Sequence, residues 1–234
     1  MGMKARRTQI VVVTGSDTGV GKTVLTALLT RRLRAEGVNA VALKPLCSGG
    51  REDAVALHAA NGGALAMDEV NPWHFRAALA PVLAARQEGR GVTLAEVVAR
   101  VRAVARRFEL VVVEGAGGLL SPLGEGFDSR DLISALRAVP IMVVPNRLGA
   151  VNQARLLLDA LPKAARRGAK VVLVEQSVMD TAARSNARLL AEWVPAVSIT
   201  RLPWVTADAL GGAKRDRRLA AALEPLVAAL LGQC

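Results

Sequence analysis

The sequence predicts an α/β fold, built as a doubly wound and mostly parallel sheet within a single domain. Two observations carry this prediction. Short runs of β-branched residues alternate along the whole chain with longer stretches of helical periodicity. The strand runs are nearly continuous in apolar residues, as in parallel strands that helices cover on both faces. The 234 residues are 52% hydrophobic and show no shift in composition, so we expect one domain over residues 1–234.

The predicted elements follow one another in regular order. Strands are expected at residues 10–13, 40–43, 110–113, 141–144, 171–174 and 197–199. Helices are expected at residues 24–36, 53–60, 93–107, 129–136, 150–161, 183–194 and 219–231. Thr93 has Glu96 three residues later, which is the capping-box pattern of a helix start. The last helix follows a basic segment beginning at Arg215, and the glycine- and proline-punctuated stretch up to Pro81 contains no predicted element.

A glycine-rich loop joins the first strand to the first helix, with the sequence Gly15-Ser-Asp-Thr-Gly-Val-Gly-Lys-Thr23. Its glycines let backbone N–H groups close on phosphate oxygens, and the helix N-terminus adds a partial positive charge. Lys22 can reach the β- and γ-phosphates, and the Thr23 hydroxyl can bind Mg²⁺. Five residues separate Gly15 from Gly21, one more than in the common pattern. The loop predicts a nucleoside-triphosphate-binding fold of the phosphate-loop type, with the nucleotide contacted by Asp17, Thr18, Gly19, Val20, Gly21, Lys22 and Thr23.

Polar residues interrupt the chain where the predicted strands end, and ligands of such sheets bind at that edge. Asp53 and Glu114, together with Thr23, offer the oxygen ligands that Mg²⁺ prefers. A helix N-cap remains an alternative for Asp53, and a solvated strand-end carboxylate remains one for Glu114. Lys44 is interpreted as a charge aimed at an anionic substrate, with a snorkelling surface lysine as the alternative.

The net charge of +11 and the sequence pI of about 11.0 raise the question of nucleic-acid binding. The arginines are scattered over predicted helix faces, and three Trp, three Phe and no Tyr leave few platforms for base stacking. No apolar run approaches the roughly 18 residues of a membrane helix. Two cysteines, Cys47 and Cys234, form no disulfide framework. We therefore expect a cytoplasmic protein without a membrane or a specific nucleic acid as partner.

Several motifs in a fixed order resemble those of dethiobiotin synthetases over roughly residues 8 to 205. They are the loop from Gly15 to Thr23, Lys44-Pro-Leu-Cys-Ser48, Asp53-Ala-Val-Ala-Leu57, Val70-Asn-Pro-Trp73, Val113-Glu-Gly-Ala-Gly-Gly-Leu-Leu-Ser-Pro-Leu123, Leu148-Gly-Ala-Val-Asn152 and Leu202-Pro-Trp204. The resemblance implies a ligase that closes the ureido ring of dethiobiotin from 7,8-diaminononanoate, CO₂ and ATP with Mg²⁺. One amine would capture CO₂ as a carbamate, which attacks the γ-phosphate, and the second amine would then expel phosphate.

The resemblance also implies residue roles. Catalysis would involve Lys22, Lys44, Thr18 and Ser48, with Lys44 and Ser48 also contacting the substrate. Glu114, Gly117, Gln176, Leu202 and Pro203 would contact the nucleotide. The substrate carboxylate would bind at the helix start formed by Gly149, Ala150, Val151 and Asn152, reached across the interface of a homodimer. Gln176 stands nearest the position where the family usually has an adenine-reading Asn, which leaves the preference for ATP over other triphosphates open.

Two other classes share the phosphate loop. Amidoligases such as the cobyrinate amide synthetases carry an additional glutamine amidotransferase domain, for which this chain has no room. Nucleotide-switched ATPases of the ParA/MinD type bind DNA or membranes, and their loop has an extra lysine near its start, where this chain has Ser16. ATP turnover that depends on the diamine would favour the synthetase, whereas stimulation by DNA or lipid would favour the second class.

Overall fold

The computed structural model describes residues 8–205 and 217–232. The strands, in chain order, are β1 (Gln9–Gly15), β2 (Ala40–Leu43), β3 (Leu46–Ser48), β4 (Trp73–Phe75), β5 (Leu110–Glu114), β6 (Val139–Pro145), β7 (Lys170–Val174) and β8 (Ser198–Leu202). Six of them form one parallel sheet in the order β2-β5-β1-β6-β7-β8. The predicted doubly wound parallel sheet is confirmed.

The helices lie between the strands and flank the sheet. They are α1 (Lys22–Ala35), α2 (Glu52–Ala60), α3 (Met67–Val70), α4 (Pro81–Gln87), α5 (Leu94–Ala105), α6 (Ser129–Leu136), α7 (Ala150–Ala160), α8 (Lys163–Arg166), α9 (Asn186–Trp193) and α10 (Arg217–Leu231). Each of the seven predicted helices has a counterpart here. The capping box of α5 is also confirmed, because the Glu96 amide donates to the Thr93 hydroxyl and the Glu96 carboxylate accepts from the Thr93 amide at 2.8 Å.

The pairing of neighbouring strands places their carboxyl ends along one edge of the sheet. β1 lies between β5 and β6, with Val13 opposite Glu114 on one side and Gly15 opposite Val143 on the other. Val11, Val12 and Val13 are fully buried, as are the valines at 111–113 of β5. Helices on both faces explain why these strands are apolar without alternation. The phosphate loop and Glu114 therefore emerge side by side at one edge.

Several short elements depart from the expectations. β3 and β4 pair with each other in a separate two-stranded sheet, and α3, α4 and α8 are one or two turns long. Segments this short carry too little periodicity to be recognised from sequence. The predicted helix over 183–194 divides at Ser185 into a 3₁₀ turn (Ala182–Arg184) and α9. β8 extends beyond residue 199 because its backbone continues to pair with β7 as far as Leu202.

Some features of the sequence fall beyond the part of the chain that the structure describes. Arg215 at the start of the basic segment and Cys234 lie outside the described residues. Within residues 8–205 and 217–232, no helix is both long and apolar enough to cross a bilayer.

Candidate active site

The glycine-rich loop has the backbone that phosphate binding needs. Gly19 and Gly21 adopt positive φ angles of 73° and 99°, which side-chain-bearing residues rarely adopt. Gly21 is the N-cap of α1, and no described side chain caps that helix. The first amides of α1 and the helix dipole are therefore directed at the loop, where an anion is favoured. The Lys22 ammonium curls over the loop and donates to the Asp17 carbonyl at 2.7 Å.

Lys44 lies at the centre of the polar cluster beside this loop. It is only 3% exposed, so it is not a snorkelling surface lysine. Its Nζ donates to Glu114 Oε1 at 2.5 Å, to Asp53 Oδ2 at 2.9 Å and to the Gly115 carbonyl at 3.2 Å. The Thr23 hydroxyl donates to the same Glu114 Oε1 at 2.8 Å. The structure thus brings together Thr23, Lys44, Asp53 and Glu114, which come from four separate segments.

Burial and charge act in opposite directions on these groups. Burial lowers the pKa of Lys44, but Glu114 and Asp53 outweigh burial and raise it above its ordinary value. Burial raises the pKa of Asp53, and Lys44 outweighs that effect, so the pKa of this carboxyl lies below its usual range. For Lys22, burial together with repulsion from Lys44 lowers the pKa to about 8. Lys44 therefore stays a cation, and Lys22 titrates at about pH 8.

The oxygen atoms of the cluster fit a magnesium ion. Glu114 Oε2 is buried and accepts no hydrogen bond from any described residue, so it is available to a cation. The Thr23 hydroxyl donates to the other oxygen of the same carboxylate, and Lys44 links that carboxylate to Asp53. Carboxylate and hydroxyl oxygens are the hard ligands that Mg²⁺ takes, usually from only one or two carboxylates. Within the described part of the chain, no group of three or more His, Cys, Asp or Glu side chains forms a separate metal cluster.

A cavity of about 760 Å³ adjoins the cluster. Ser48 lines it, and the Ser48 hydroxyl donates to the Leu79 carbonyl at 2.6 Å. Gly117 also lines it with φ of 66°, and a Cβ there would lie 2.5 Å from the Ser121 Oγ. Its wall holds the following site residues predicted from the sequence: Thr18, Gly19, Gly21, Lys22, Thr23, Lys44, Ser48, Asp53, Glu114 and Gly117.

Other predicted site residues lie elsewhere. Gly149 is the N-cap of α7 with φ of 91°, and Asn152 in the first turn is exposed. Neither of them, nor Ala150 or Val151, is among the described residues that line the cavity. Within one chain, the helix start and the Lys44 cluster are therefore separate.

The segment predicted to read adenine has an unexpected arrangement. The Gln176 amide donates to the Val174 carbonyl at 3.0 Å and to the Glu175 carbonyl at 3.3 Å, so it is turned onto its own backbone. Leu202 is fully buried, and Pro203 is half-buried. Val174 approaches the phosphate loop, since a Cβ on Gly21 would lie 3.4 Å from its methyl groups. The end of β7 is therefore next to the loop, while the role of Gln176 stays a prediction.

A second polar cluster lies at the ends of β6, β7 and β8, and sequence reasoning missed the contact of Glu175 with Arg201 within it. Glu175 is 8% exposed and pairs with Arg201 at 2.6 Å. Asn146, which is fully buried, donates to the Ala183 carbonyl and accepts from Asn186 at 2.9 Å. Glu175 directly follows an apolar strand, and Glu114 is the last residue of another. This shared position at a strand end could have identified Glu175 from the sequence.

Fold and site together define a phosphate-loop nucleotide-binding protein. The same architecture is found in the MinD cell division protein of Aquifex aeolicus, with a TM-score of 0.59 at 16% identity over 97% of this chain and 98% of that one. A ParA family ATPase of Chlorobium tepidum TLS gives a TM-score of 0.58 at 11% identity over 97% and 99% of the two chains. Identities this low establish a shared fold and leave function to the site.

Sequence similarity identifies the family within that class. A family model described as an AAA domain matches residues 9–207. The ATP-dependent dethiobiotin synthetase BioD of Anaeromyxobacter dehalogenans (strain 2CP-C) is 42% identical over 198 residues, covering 82% of this chain and 88% of that protein. The protein of the same name from Akkermansia muciniphila is 36% identical, covering 78% and 86%. The chain belongs to the dethiobiotin synthetase family, whose members are ligases.

The pKa of Lys22 predicts how nucleotide binding depends on pH. Because the pKa is about 8, the lysine loses its charge as the pH rises above that value. The affinity for MgATP should then fall by at most about tenfold per pH unit, with net proton uptake on binding. Titration calorimetry between about pH 7 and 9.5 measures both quantities.

The matched control is Lys22→Arg, since a guanidinium stays charged throughout this range. Its affinity should be flat where that of the original protein declines. An equal decline in both proteins would assign the pH dependence to another group.

Proposed function

We propose that the protein catalyses the ATP-dependent conversion of 7,8-diaminononanoate and CO₂ to dethiobiotin, with release of ADP and phosphate. The observation that carries this proposal is the contact of the buried Lys44 with Asp53 and Glu114 beside the phosphate loop. The cavity next to it has a volume of about 760 Å³, which is room for a small substrate, and Lys22 and Lys44 both line it. The name of the relatives, ATP-dependent dethiobiotin synthetase, supports the use of ATP and dethiobiotin as the product.

The proposed reaction has three steps in which atoms and charges balance. One amine of the substrate adds to CO₂ and loses a proton, which gives a carbamate anion. A carbamate oxygen attacks the γ-phosphorus, forming a C–O–P bond while the bond to the leaving ADP breaks. The second amine then attacks the carbonyl carbon, loses a proton, and expels phosphate with both C–N bonds of the ureido ring complete.

The main difficulty of the second step is the meeting of two anions, a carbamate and a triphosphate. Lys44 remains protonated because its pKa lies above the ordinary value, and its ammonium lines the cavity. We assign it to the carbamate and to the phosphoryl group in transfer. Lys22 and the loop amides take the phosphates, while the hydroxyls of Thr18 and Ser48 donate to carbamate or phosphate oxygens. Preorganised cations of this kind carry most of the catalysis in phosphoryl transfer.

Thr23, Asp53 and Glu114 would hold a magnesium ion. When bound, the ion would neutralise negative charge on the β- and γ-phosphates. The unpartnered, buried Glu114 Oε2 supports this assignment.

The remaining assignments concern the nucleotide base, the partner copy and the compartment. Gln176 after β7 and Leu202 and Pro203 at the end of β8 are assigned to the base, and the end of β7 lies next to the loop. Gly149 to Asn152 would bind the substrate carboxylate of a second copy in a homodimer, which fits their distance from the cavity of their own chain. Cys47 is a free buried thiol, which supports a cytoplasmic location.

Product formation tests the proposed function directly. The purified protein is incubated with MgATP, bicarbonate and 7,8-diaminononanoate, and dethiobiotin is measured by mass spectrometry. We expect product that disappears when any one of the three is omitted. Nucleotide binding without product would mean that the scaffold serves another substrate.

The matched variant in this assay is Lys44→Ala. Because Lys44 is assigned to the transfer step, turnover should fall by about a hundredfold or more while MgATP affinity stays within about threefold. An equal loss of MgATP affinity in calorimetry would place Lys44 among the ordinary nucleotide contacts.

The assignment of the α7 start to the substrate carboxylate predicts the effect of Asn152→Ala. The variant should raise KM for the diamine by about tenfold and leave MgATP affinity unchanged, because one helix-start contact to an anion is lost. Steady-state kinetics with varied diamine measure this KM. The control is Arg155→Gln, an exposed position of α7 beyond the first turn. An unchanged KM in Asn152→Ala would remove this residue from the substrate site.

A further inference from the structure

Asn71 is a buried amide that holds the backbone of Lys44. It lies between α3 and β4 and is 1% exposed. Its Nδ2 donates to the Lys44 carbonyl at 2.8 Å and to the Trp73 carbonyl at 3.3 Å. On the other side, the Lys44 amide donates to the Val70 carbonyl at 2.9 Å. Both backbone polar groups of Lys44 are therefore fixed by the residue pair Val70–Asn71.

The same amide is linked to the segment that carries Asp53. Arg51 Nε donates to Asn71 Oδ1 at 2.9 Å, and Arg51 Nη2 donates to the Asn71 carbonyl at 3.0 Å. Arg51 is the N-cap residue of α2, and Asp53 follows two residues later in the first turn of that helix. Asn71 thus joins the end of β2, which supplies Lys44, to the start of α2, which supplies its carboxylate partner.

This link matters because Lys44 and Asp53 meet at 2.9 Å although they come from different elements. A shift of either element changes the direction of the ammonium, and misplacement by about 1 Å can cost about a hundredfold in rate. Both hydrogen-bonding ends of the Asn71 amide are occupied, so the amide fixes the distance between the two elements from both sides.

We propose that Asn71 and Arg51 are positioning residues that set the position of Lys44 relative to Asp53. Neither lines the cavity, so they act through Lys44 and Asp53 and do not touch the substrate. The catalytic consequence rests on the proposed function, whereas the placement of the Lys44 ammonium does not.

The chain offers a closely matched control in Asn61. This asparagine is also fully buried and also bonds the backbone of β2, accepting from the Ala42 amide at 2.7 Å and donating to the Ala42 carbonyl at 3.0 Å. It contacts β2 two residues before Lys44 and, among the described residues, makes no hydrogen bond to the side chains of the Lys44 cluster. A second control is Asp68→Asn, which removes only the exposed ion pair of Arg51.

The first measurement compares the kinetics of Asn71→Ala, Arg51→Gln and Asn61→Ala with their melting temperatures. Asn71→Ala and Arg51→Gln should lower kcat by about tenfold to a hundredfold, with MgATP affinity within about twofold of the original. Asn61→Ala should lose as much thermal stability as Asn71→Ala and keep kcat within about twofold. Equal loss of kcat in Asn61→Ala and Asn71→Ala would reduce Asn71 to a structural role.

The second measurement needs no turnover. The rate of reductive methylation at Lys44, followed by mass spectrometry of its peptide, reports how firmly the ammonium is held by Asp53 and Glu114. We expect this rate to rise several-fold in Asn71→Ala and Arg51→Gln, and to stay unchanged in Asn61→Ala and Asp68→Asn. Unchanged protection of Lys44 in both Asn71→Ala and Arg51→Gln would overturn the inference. Absence of dethiobiotin from the original protein would instead contradict the proposed function, with the labelling result unaffected.

Discussion

The contact of the buried Lys44 ammonium with Asp53 and Glu114 is the constraint on which the rest of the site depends. Removing one partner from a buried ion pair costs about 3–5 kcal/mol. That cost applies to Lys44 and Glu114, whereas the Asp53 side chain is 47% exposed and its contact with Lys44 is worth less. The set of three groups keeps Lys44 charged and Asp53 ionised. Burial lowers the pKa of Lys22, and repulsion from Lys44 adds to that effect, while Glu114 and Asp53 act in the opposite direction. The charges of Lys22 and Lys44, which both line the cavity beside the phosphate loop, are therefore coupled.

The fold brings this cluster together because its six central strands are parallel. Their carboxyl ends share one edge, and the position of β1 between β5 and β6 sets the phosphate loop beside Glu114. The turn after Glu114 also packs on the loop, with Gly118 close to the Gly15 and Ser16 carbonyls. MinD and ParA proteins share this scaffold at low identity. The sheet alone therefore does not determine what this chain does, and its function has to be argued from the side chains at the edge.

Much of this arrangement was predictable from the sequence. Apolar runs located the six strands, and the rule that parallel strands end at one edge grouped Thr23, Lys44, Asp53 and Glu114. The link through Asn71 and Arg51 was not predictable, because side-chain bonds to distant backbone groups leave no periodic signal. The orientation of Gln176 and the separation of Asn152 from the cavity depend on tertiary placement in the same way.

The transfer of a CO₂-derived oxygen to phosphate tests the central claim most directly. The protein is mixed with MgATP, the diamine and ¹⁸O-labelled bicarbonate, and phosphate is analysed by mass spectrometry before the label exchanges with water. If a carbamate oxygen attacks the γ-phosphorus beside Lys44, each released phosphate carries one ¹⁸O from CO₂. Dethiobiotin formed together with unlabelled phosphate would contradict this account of the site.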